Sequence, residues 1–467
     1  MTTEYHELLT LCGFEPDEIQ QQRHRIETTF QRLNLVAGDM DRAVSRLRTY
    51  FDIELKGVRK VLGTWLKELI DLVMARDEGK KLIYYGYPPF QYMGLVIKKA
   101  SEAVGDFYIA CPEVILCETL GQIFGKLNPV LEAGEAGGLA PGHAMCSLLQ
   151  IKDGALSLGF IPAPDLSIST SYFCDMGPKA DELMQYKHGG YPVEFVDSCM
   201  DSPWGEWPAY DPQRIHYLGQ QLEQLFSALQ DRFGFTIDET IWTEARKLAG
   251  PLYAATFRLN KSLTADPLPL GAADAQLILN LPMGCTGIAL KEGAEAIEIM
   301  AEELEKRVET GVGVLPKNAP RVLMGFPSFV DPALNRLIQD VGLAVPVHTT
   351  LLTPPPLPES PKTYKTLGEK RSVVAMHGGL YHSSFGWIGR IKRGLDYTDL
   401  DGFLYTYQYS CRPLTCNSKL MKEYVEKEIK LPTLLLDMDM YDDRNYSAGA
   451  LQTRLEAFAE MLKTKKK

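Results

Sequence analysis

Short runs of β-branched and aromatic residues recur from residue 81 to the end of the chain, and segments of helical period lie between them. The strand-like runs are 81–87 (KLIYYGY), 106–110 (DFYIA), 166–172 (LSISTSY), 191–197 (YPVEFVD), VLMGF after Arg321, VPVHTTLL, SVVAM before His377, 402–409 (GFLYTYQY) and 433–438 (TLLLDM). Helical patterns fall at 92–103, 212–233, 238–260, 293–310, 332–341, 418–427 and 449–462. Strands that alternate with helices specify parallel sheets covered on both faces. At 467 residues the chain exceeds what one hydrophobic core organises. The expected fold is therefore α/β, with two doubly wound parallel-sheet domains facing an interdomain cleft.

The first part reads differently. Residues 17–76 contain almost no Gly or Pro, and Leu33, Val36, Met40, Val44 and Leu47, then Val58, Val61, Leu62, Trp65, Leu69 and Val73, recur at helical spacing. Asp17 with Gln20 three residues on is the expected cap. No heptad persists, so a packed helical domain is expected rather than a coiled coil. The expected division is an N-terminal helical region at 1–78, a first α/β domain with a helical insertion at 79–315, and a second α/β domain at 316–467. Residues 263–281 mix turn residues with an apolar run and resist placement. Pro354, Pro355, Pro356 and Pro358 read as a stiff surface excursion.

The net charge of −11 argues against nucleic acid or an anionic membrane as partner. The basic end, Lys463, Lys465, Lys466 and Lys467, reads as a solvated tail. No uncharged apolar stretch reaches the length of a bilayer span, and the first residues lack a basic-then-apolar leader, so a cytoplasmic protein is expected. No G-x-x-x-x-G-K-[ST] occurs, and no G-x-G-x-x-G follows a strand. The chain itself is not expected to bind ATP or a dinucleotide.

Nine cysteines, an odd number at irregular spacing, point away from a disulfide framework in a reducing compartment. In open α/β sheets ligands bind beyond the carboxyl ends of the strands. Cys174 and Cys411 each follow a strand there, one in each α/β domain, and Cys146 ends a Gly/Pro-rich loop (GGLAPGHAMC). No C-x₂-C ladder is present, which weighs against a ferredoxin-type site or a zinc ribbon. A cluster assembled from distant segments remains, and three thiolates would leave one iron of a four-iron cluster open. Small buried cysteines packing as hydrophobes are the competing explanation. It is favoured for Cys12 and Cys199, while Cys111, Cys117, Cys285 and Cys416 stand between.

The segment Ser410-Cys411-Arg412-Pro413, the helix with Lys419, the strand bearing Pro432, Leu434 and Asp439, then Arg444 and the stretch 453–462 (TRLEAFAEML) resemble the end of the 2-hydroxyacyl-CoA dehydratase and benzoyl-CoA reductase family, the 2-hydroxyglutaryl-CoA dehydratase D-component type among them. Upstream, the loop ending at Cys146 resembles that family's first ligand region, and the segment ending Cys174-Asp175 its second. The resemblance runs from about residue 80 onward, most closely over the last sixty residues and around Cys174. It implies an oxygen-sensitive [4Fe–4S] cluster on Cys146, Cys174 and Cys411. A double-cubane cluster that recruits Cys117, Cys285 or Cys416 is the larger alternative. It also implies an acyl-CoA substrate, a homologous second subunit or a second copy as partner, and an ATP-hydrolysing iron–sulfur activator that docks by analogy on the N-terminal helices. In such dehydratases one electron makes a ketyl radical anion of the thioester, which expels the hydroxyl. The reductases send electrons into an aromatic ring instead. A non-catalytic partner or scaffold subunit is the reading from another class.

Other polar residues are candidates for the chemistry. Ser171, with Ser169 and Thr170, lies beside Cys174 and is suited to donate to a cluster sulfur or a substrate carbonyl. His377, expected at a strand's end before Gly378 and Gly379, is placed with His382 and Arg390 to grip a CoA phosphate or to donate a proton. Glu113 and Glu135 flank the cysteine loops as candidate bases. Solvated hydroxyls, a surface loop with incidental histidines, and salt-bridged carboxylates are the plainer explanations of these residues.

Overall fold

The computed structural model describes residues 5–86, 92–139, 145–171, 174–198, 211–325, 329–349, 363–377, 384–408 and 410–466. Cys199, Gly378, Gly379, His382 and the proline-rich excursion lie outside the described residues.

Eight of the apolar runs become strands: β1 (Lys81–Tyr85), β2 (Phe107–Ala110), β3 (Leu166–Thr170), β4 (Val193–Val196), β5 (Arg321–Met324), β6 (Ala344–His348), β7 (Gly402–Gln408) and β8 (Thr433–Met438). They form two parallel four-stranded sheets of order β2-β1-β3-β4 and β6-β5-β7-β8. β2, β3, β5 and β6 are buried along their whole length, as strands covered on both faces are, although β3 alternates apolar residues with Ser167 and Ser169. The edge strands β4 and β8 are partly exposed and carry Glu194 and Asp437.

The two sheets repeat one connection. In each, the second strand lies on one side of the first, and the chain then crosses back to place the third on the other side. The order therefore reverses between β1 and β3, and again between β5 and β7. These are the positions where an open parallel sheet leaves a crevice at its carboxyl edge.

One expectation fails. SVVAM is not a strand but part of the helix Leu367–His377. A five-residue apolar run suits a buried helix face as well as a strand, and only the length of the surrounding element separates them. The expected cap also shifts. The first helix of the 17–76 stretch starts at Pro16, and Glu18 accepts from the Glu15 N–H at 3.4 Å, where Asp17 and Gln20 were expected to act. Pro at the first helical position sets that start. Three further helices follow, Arg23–Arg32, Ala37–Tyr50 and Lys56–Met74, and the unplaced segment holds the helix Ala272–Leu279.

The helix Lys56–Met74 is buried over most of its circumference and packs on the helix Ile288–Thr310. Contact is close enough that a Cβ on Gly57 would lie 2.4 Å from Met300 Cβ. Trp65, wholly buried, donates through Nε1 to the Leu277 carbonyl at 2.9 Å. A continuous core joins these helices to the first sheet and to one face of the second. A second core lies under the other face, between Val322, Met324, Leu404 and Leu436 of the sheet and Leu455, Phe458 and Leu462 of the terminal helix Ala448–Lys466.

Three buried acids sit in the helical layer. Burial lifts Glu68 to about 8 although the Tyr108 hydroxyl donates to it at 3.2 Å. Burial lifts Glu118 to about 8 although Asn280 donates to it at 2.6 Å, and lifts Asp274 to about 7 although the Asp52 N–H donates to it at 2.9 Å. Each holds a proton in the folded state that the unfolded chain has already released above about pH 4.5. The native state thus binds more protons between about pH 5 and 8, and stability falls as pH rises through that window. Each group contributes on the order of 1 kcal/mol per pH unit. The urea midpoint is expected to drop steadily from pH 5.5 to 8, and to drop less in Glu118→Gln. A midpoint that rises over that range contradicts the assignment.

Candidate functional site

Cys174 lies just past β3 and Cys411 just past β7, so both sit at the carboxyl mouths beside the two order reversals. Cys146 is the N-cap of the helix Ser147–Ser157. That helix is seated against the helix Asn128–Ala136 with almost no clearance. A Cβ on Gly154 would fall 1.8 Å from the Val130 carbonyl oxygen, so only glycine fits.

The three thiols share one environment. Burial pushes Cys146 well up, and Cys174 and Cys411 add to the rise as neighbouring charges. Burial raises Cys411 to about 12, with Cys174 again adding to it. Cys174 is raised by burial and partly offset by backbone N–H groups. Segments that are far apart in sequence thus bring their sulfurs within electrostatic reach of one another.

Each thiol also stands at the start of a helix. The Gly177 N–H donates to Cys174 Sγ at 3.3 Å. At the same offset, the N–H groups of Leu149 and Leu414 turn toward Cys146 and Cys411 and act against the rise in those thiols, while bonding the Cys146 and Cys411 carbonyls at 3.1 and 3.2 Å. Helix starts favour negative charge, and so favour thiolate.

Polar clamps link the three segments in pairs. Lys152, six residues into the Cys146 helix, pairs at 2.6 Å with Asp181 of the helix Met176–Lys187 that follows Cys174, and both side chains are 3% exposed. Burial alone would lower the Lys152 ammonium, but Asp181 and Glu113 hold it above its usual range. Next to it Asp153, fully buried, takes Lys187 at 2.6 Å and His188 at 2.7 Å. Asp175 pairs at 2.5 Å with Arg412, joining the residues that adjoin Cys174 and Cys411 across the two sheets. Between Cys146 and Cys411 runs a chain of hydrogen bonds. Ser147 Oγ donates to Asp439, Asp439 bonds the Gln408 side chain, and Gln408 Nε2 donates to Ser410 Oγ at 3.2 Å.

The donor set consists of thiols, soft ligands of the kind an iron–sulfur cluster takes. Among the described residues, no three His, Cys, Asp or Glu side chains are grouped to hold one metal ion. A single zinc draws its sulfurs to about 2.3 Å from one point. A four-iron cube keeps its thiolates farther apart, and thiolates at helix starts are the soft ligands such clusters take.

The remaining candidates are placed as follows. Ser171, at the mouth of β3, donates its hydroxyl to Asp197, which also accepts from Tyr217 at 2.7 Å. Burial acts to raise the Asp197 carboxyl, but these donors hold it below its usual range. Ser167 and Ser169 are buried on β3. Glu135 is paired to Arg444, which also holds Asp442 at 2.7 Å. Glu113 is buried in the helix Pro112–Leu116. His377 ends a helix instead of following a strand, and it is buried there. Arg390 donates to the Thr349 carbonyl at 2.8 Å. Of the additional cysteines, Cys117 is buried within reach of Cys146, Cys416 is exposed within reach of Cys411, and Cys285 neighbours Glu68 and Glu118 instead. Cys12 is buried, as a packing cysteine should be. Sequence reasoning missed Ser147, Lys152, Asp181 and Gln408. The adjacent charges Lys152 and Asp153 inside an otherwise apolar helix were the one signal available. A groove of 960 Å³ along β2, lined by Phe107, Tyr108, Leu248, Pro251 and Leu290, contains none of the cysteines.

In both parallel-sheet units a cysteine follows the third strand, Cys174 after β3 and Cys411 after β7, and sequence comparison adds a family to that arrangement. The chain belongs to the 2-hydroxyglutaryl-CoA dehydratase D-component family, whose profile matches residues 121–462. It is 24% identical over 307 residues to the (R)-2-hydroxyglutaryl-CoA dehydratase subunit alpha of Acidaminococcus fermentans, covering 65% of this chain and 61% of that one. The match spans less than two thirds of that relative's length. It is 20% identical over 351 residues to the (R)-phenyllactyl-CoA dehydratase alpha subunit of Clostridium sporogenes, covering 73% and 82%. A third relative is the (R)-2-hydroxyisocaproyl-CoA dehydratase alpha subunit of Clostridioides difficile, 20% identical over 328 residues and covering 68% and 76%. Among the described residues no helix is long and apolar enough to cross a membrane.

Proposed function

We propose that the chain is the cluster-bearing subunit of a 2-hydroxyacyl-CoA dehydratase, holding a [4Fe–4S] cluster through Cys146, Cys174 and Cys411. It works with a related second subunit or a second copy, and with an ATP-hydrolysing iron–sulfur activator. The observation that carries this reading is that three thiols from three distant segments lie within electrostatic reach of one another, beside the two order reversals, with their segments tied by Asp175–Arg412 and Ser147–Asp439. Membership of the family supports the substrate class.

Bound there, such a cluster supplies single electrons at low potential. The chain's own groups do the rest. Cys146, Cys174 and Cys411 would hold the cluster as thiolates, one ligand fewer than a four-iron cluster can take. Helix starts at Cys146, Cys174 and Cys411 supply fixed N–H groups toward sulfur. Ser171 stands ready to donate to a thioester carbonyl once it turns from Asp197, and Glu135 becomes a proton acceptor only on release from Arg444. His377 remains a proton-handling candidate.

Anaerobic purification followed by iron and sulfide counting tests the reading. About four iron atoms per chain are expected. About eight would favour the double-cubane alternative, for which Cys117 near Cys146 and Cys416 near Cys411 are the supporting observation. With activator and ATP supplied, water loss from a 2-hydroxyacyl-CoA is the expected turnover. Ring reduction of benzoyl-CoA in its place would reassign the chain to the reductase branch, and iron-free protein would end the proposal.

A further inference from the structure

Asp439 lies just past β8, next to β7 and its Cys411 mouth. Four donors converge on its carboxylate: Ser147 Oγ, the Gln408 side chain, the Tyr441 N–H at 3.2 Å and Asn445 Nδ2 at 3.4 Å. Burial and the neighbouring Asp442 charge raise the Asp439 carboxyl, and the donors from Ser147, Gln408 and Tyr441 act against that rise. Ser147 directly follows Cys146, and Gln408 also accepts from the Met440 N–H at 2.7 Å and, through its own carbonyl, from the Cys411 N–H at 2.9 Å. One buried side chain of the second sheet thus reaches the loop that presents Cys146 from the first, and through Gln408 the loop that presents Cys411. Its charge is felt at the Cys146 sulfur.

We propose that Asp439 is a positioning residue that sets both the spacing of Cys146 and Cys411 and, as a carboxylate, a low reduction potential at the site. This rests on the cluster reading above and adds to it a named determinant of potential. Adding an electron to a cluster increases its negative charge, and a nearby carboxylate opposes that step in a site of low dielectric. Removing the charge must therefore make reduction easier. At a pH well above the carboxylate range, where Asp439 stays ionised, removing one of its donors must make reduction harder, because the carboxylate is then less compensated. A merely structural disturbance has no reason to move the two variants in opposite directions.

The test is a redox titration of anaerobically purified full chain, followed by the visible and paramagnetic signals of the cluster, on wild type, Asp439→Asn and Ser147→Ala. In D439N the ratio of reduced to oxidised cluster at the wild-type midpoint is expected to rise about tenfold, equivalent to about 59 mV for one electron. In S147A the same ratio is expected to fall. An unmoved midpoint in iron-loaded D439N, or shifts of the same sign in both variants, overturns the proposal. If D439N loses its iron while S147A keeps it, the positioning half is supported and the downward shift in S147A decides the charge half. Wild type without iron strikes the cluster reading itself, an outcome distinct from any of these.

Discussion

Replacement of Lys152 by Met is expected to lower folding stability by about 3–5 kcal/mol, the usual consequence of stranding one partner of a buried ion pair. Lys152 and Asp181 meet at 2.6 Å with both side chains 3% exposed, so water cannot take over when the ammonium is gone. Asp181 would keep a buried charge or take up a proton, and either is costly. The urea midpoint should fall, and it should recover in large part in Lys152→Met with Asp181→Leu, because two packed apolar side chains often replace such a pair without loss. A midpoint in K152M equal to wild type would show that the pair contributes no net stability. The effect reaches the site because the pair ties the helix led by Cys146 to the helix that follows Cys174. Iron content should therefore drop in the single variant and return in the double one.

The strands were legible for a physical reason. In a parallel sheet covered on both faces the strands are rich in apolar and β-branched residues, so β2, β5 and β6 stand out as runs, while β3 buries Ser167 and Ser169 between Leu166, Ile168 and Thr170. The same logic misleads at 372–376, where a buried helix also has a run of apolar residues. Cys174 and Cys411 were legible because a strand's carboxyl end is readable from the strand itself. The clamps were not. Ser147 and Asp439 are 292 residues apart, and nothing local in either segment announces the other. The element before His377 was misread, since five apolar residues suit a buried helix as well as a strand. Ser171 and Glu135 were visible as polar groups near cysteines, but their engagement with Asp197 and Arg444 is a property of the folded chain alone.

Single serine replacements sort the cysteines most sharply. Cys146→Ser, Cys174→Ser and Cys411→Ser are each expected to lose most of the iron and to reduce turnover by more than about 100-fold, beyond the 10–100-fold typical of residues that only support a metal's ligands. Each lies at or next to a helix start and within electrostatic reach of another, so removing any one would leave two thiolates, too few to retain the cube against solvent. Cys285→Ser should keep its iron, since that thiol lies with Glu68 and Glu118 instead. Cys117→Ser and Cys416→Ser discriminate between one cube and two. With one cube, both retain about four irons. With two, each falls from about eight, and the exposed Cys416 becomes a ligand at the rim of the crevice. Iron retained by all three of the first set would mean that the thiols meet for packing alone, and the chemistry would have to be sought from other groups.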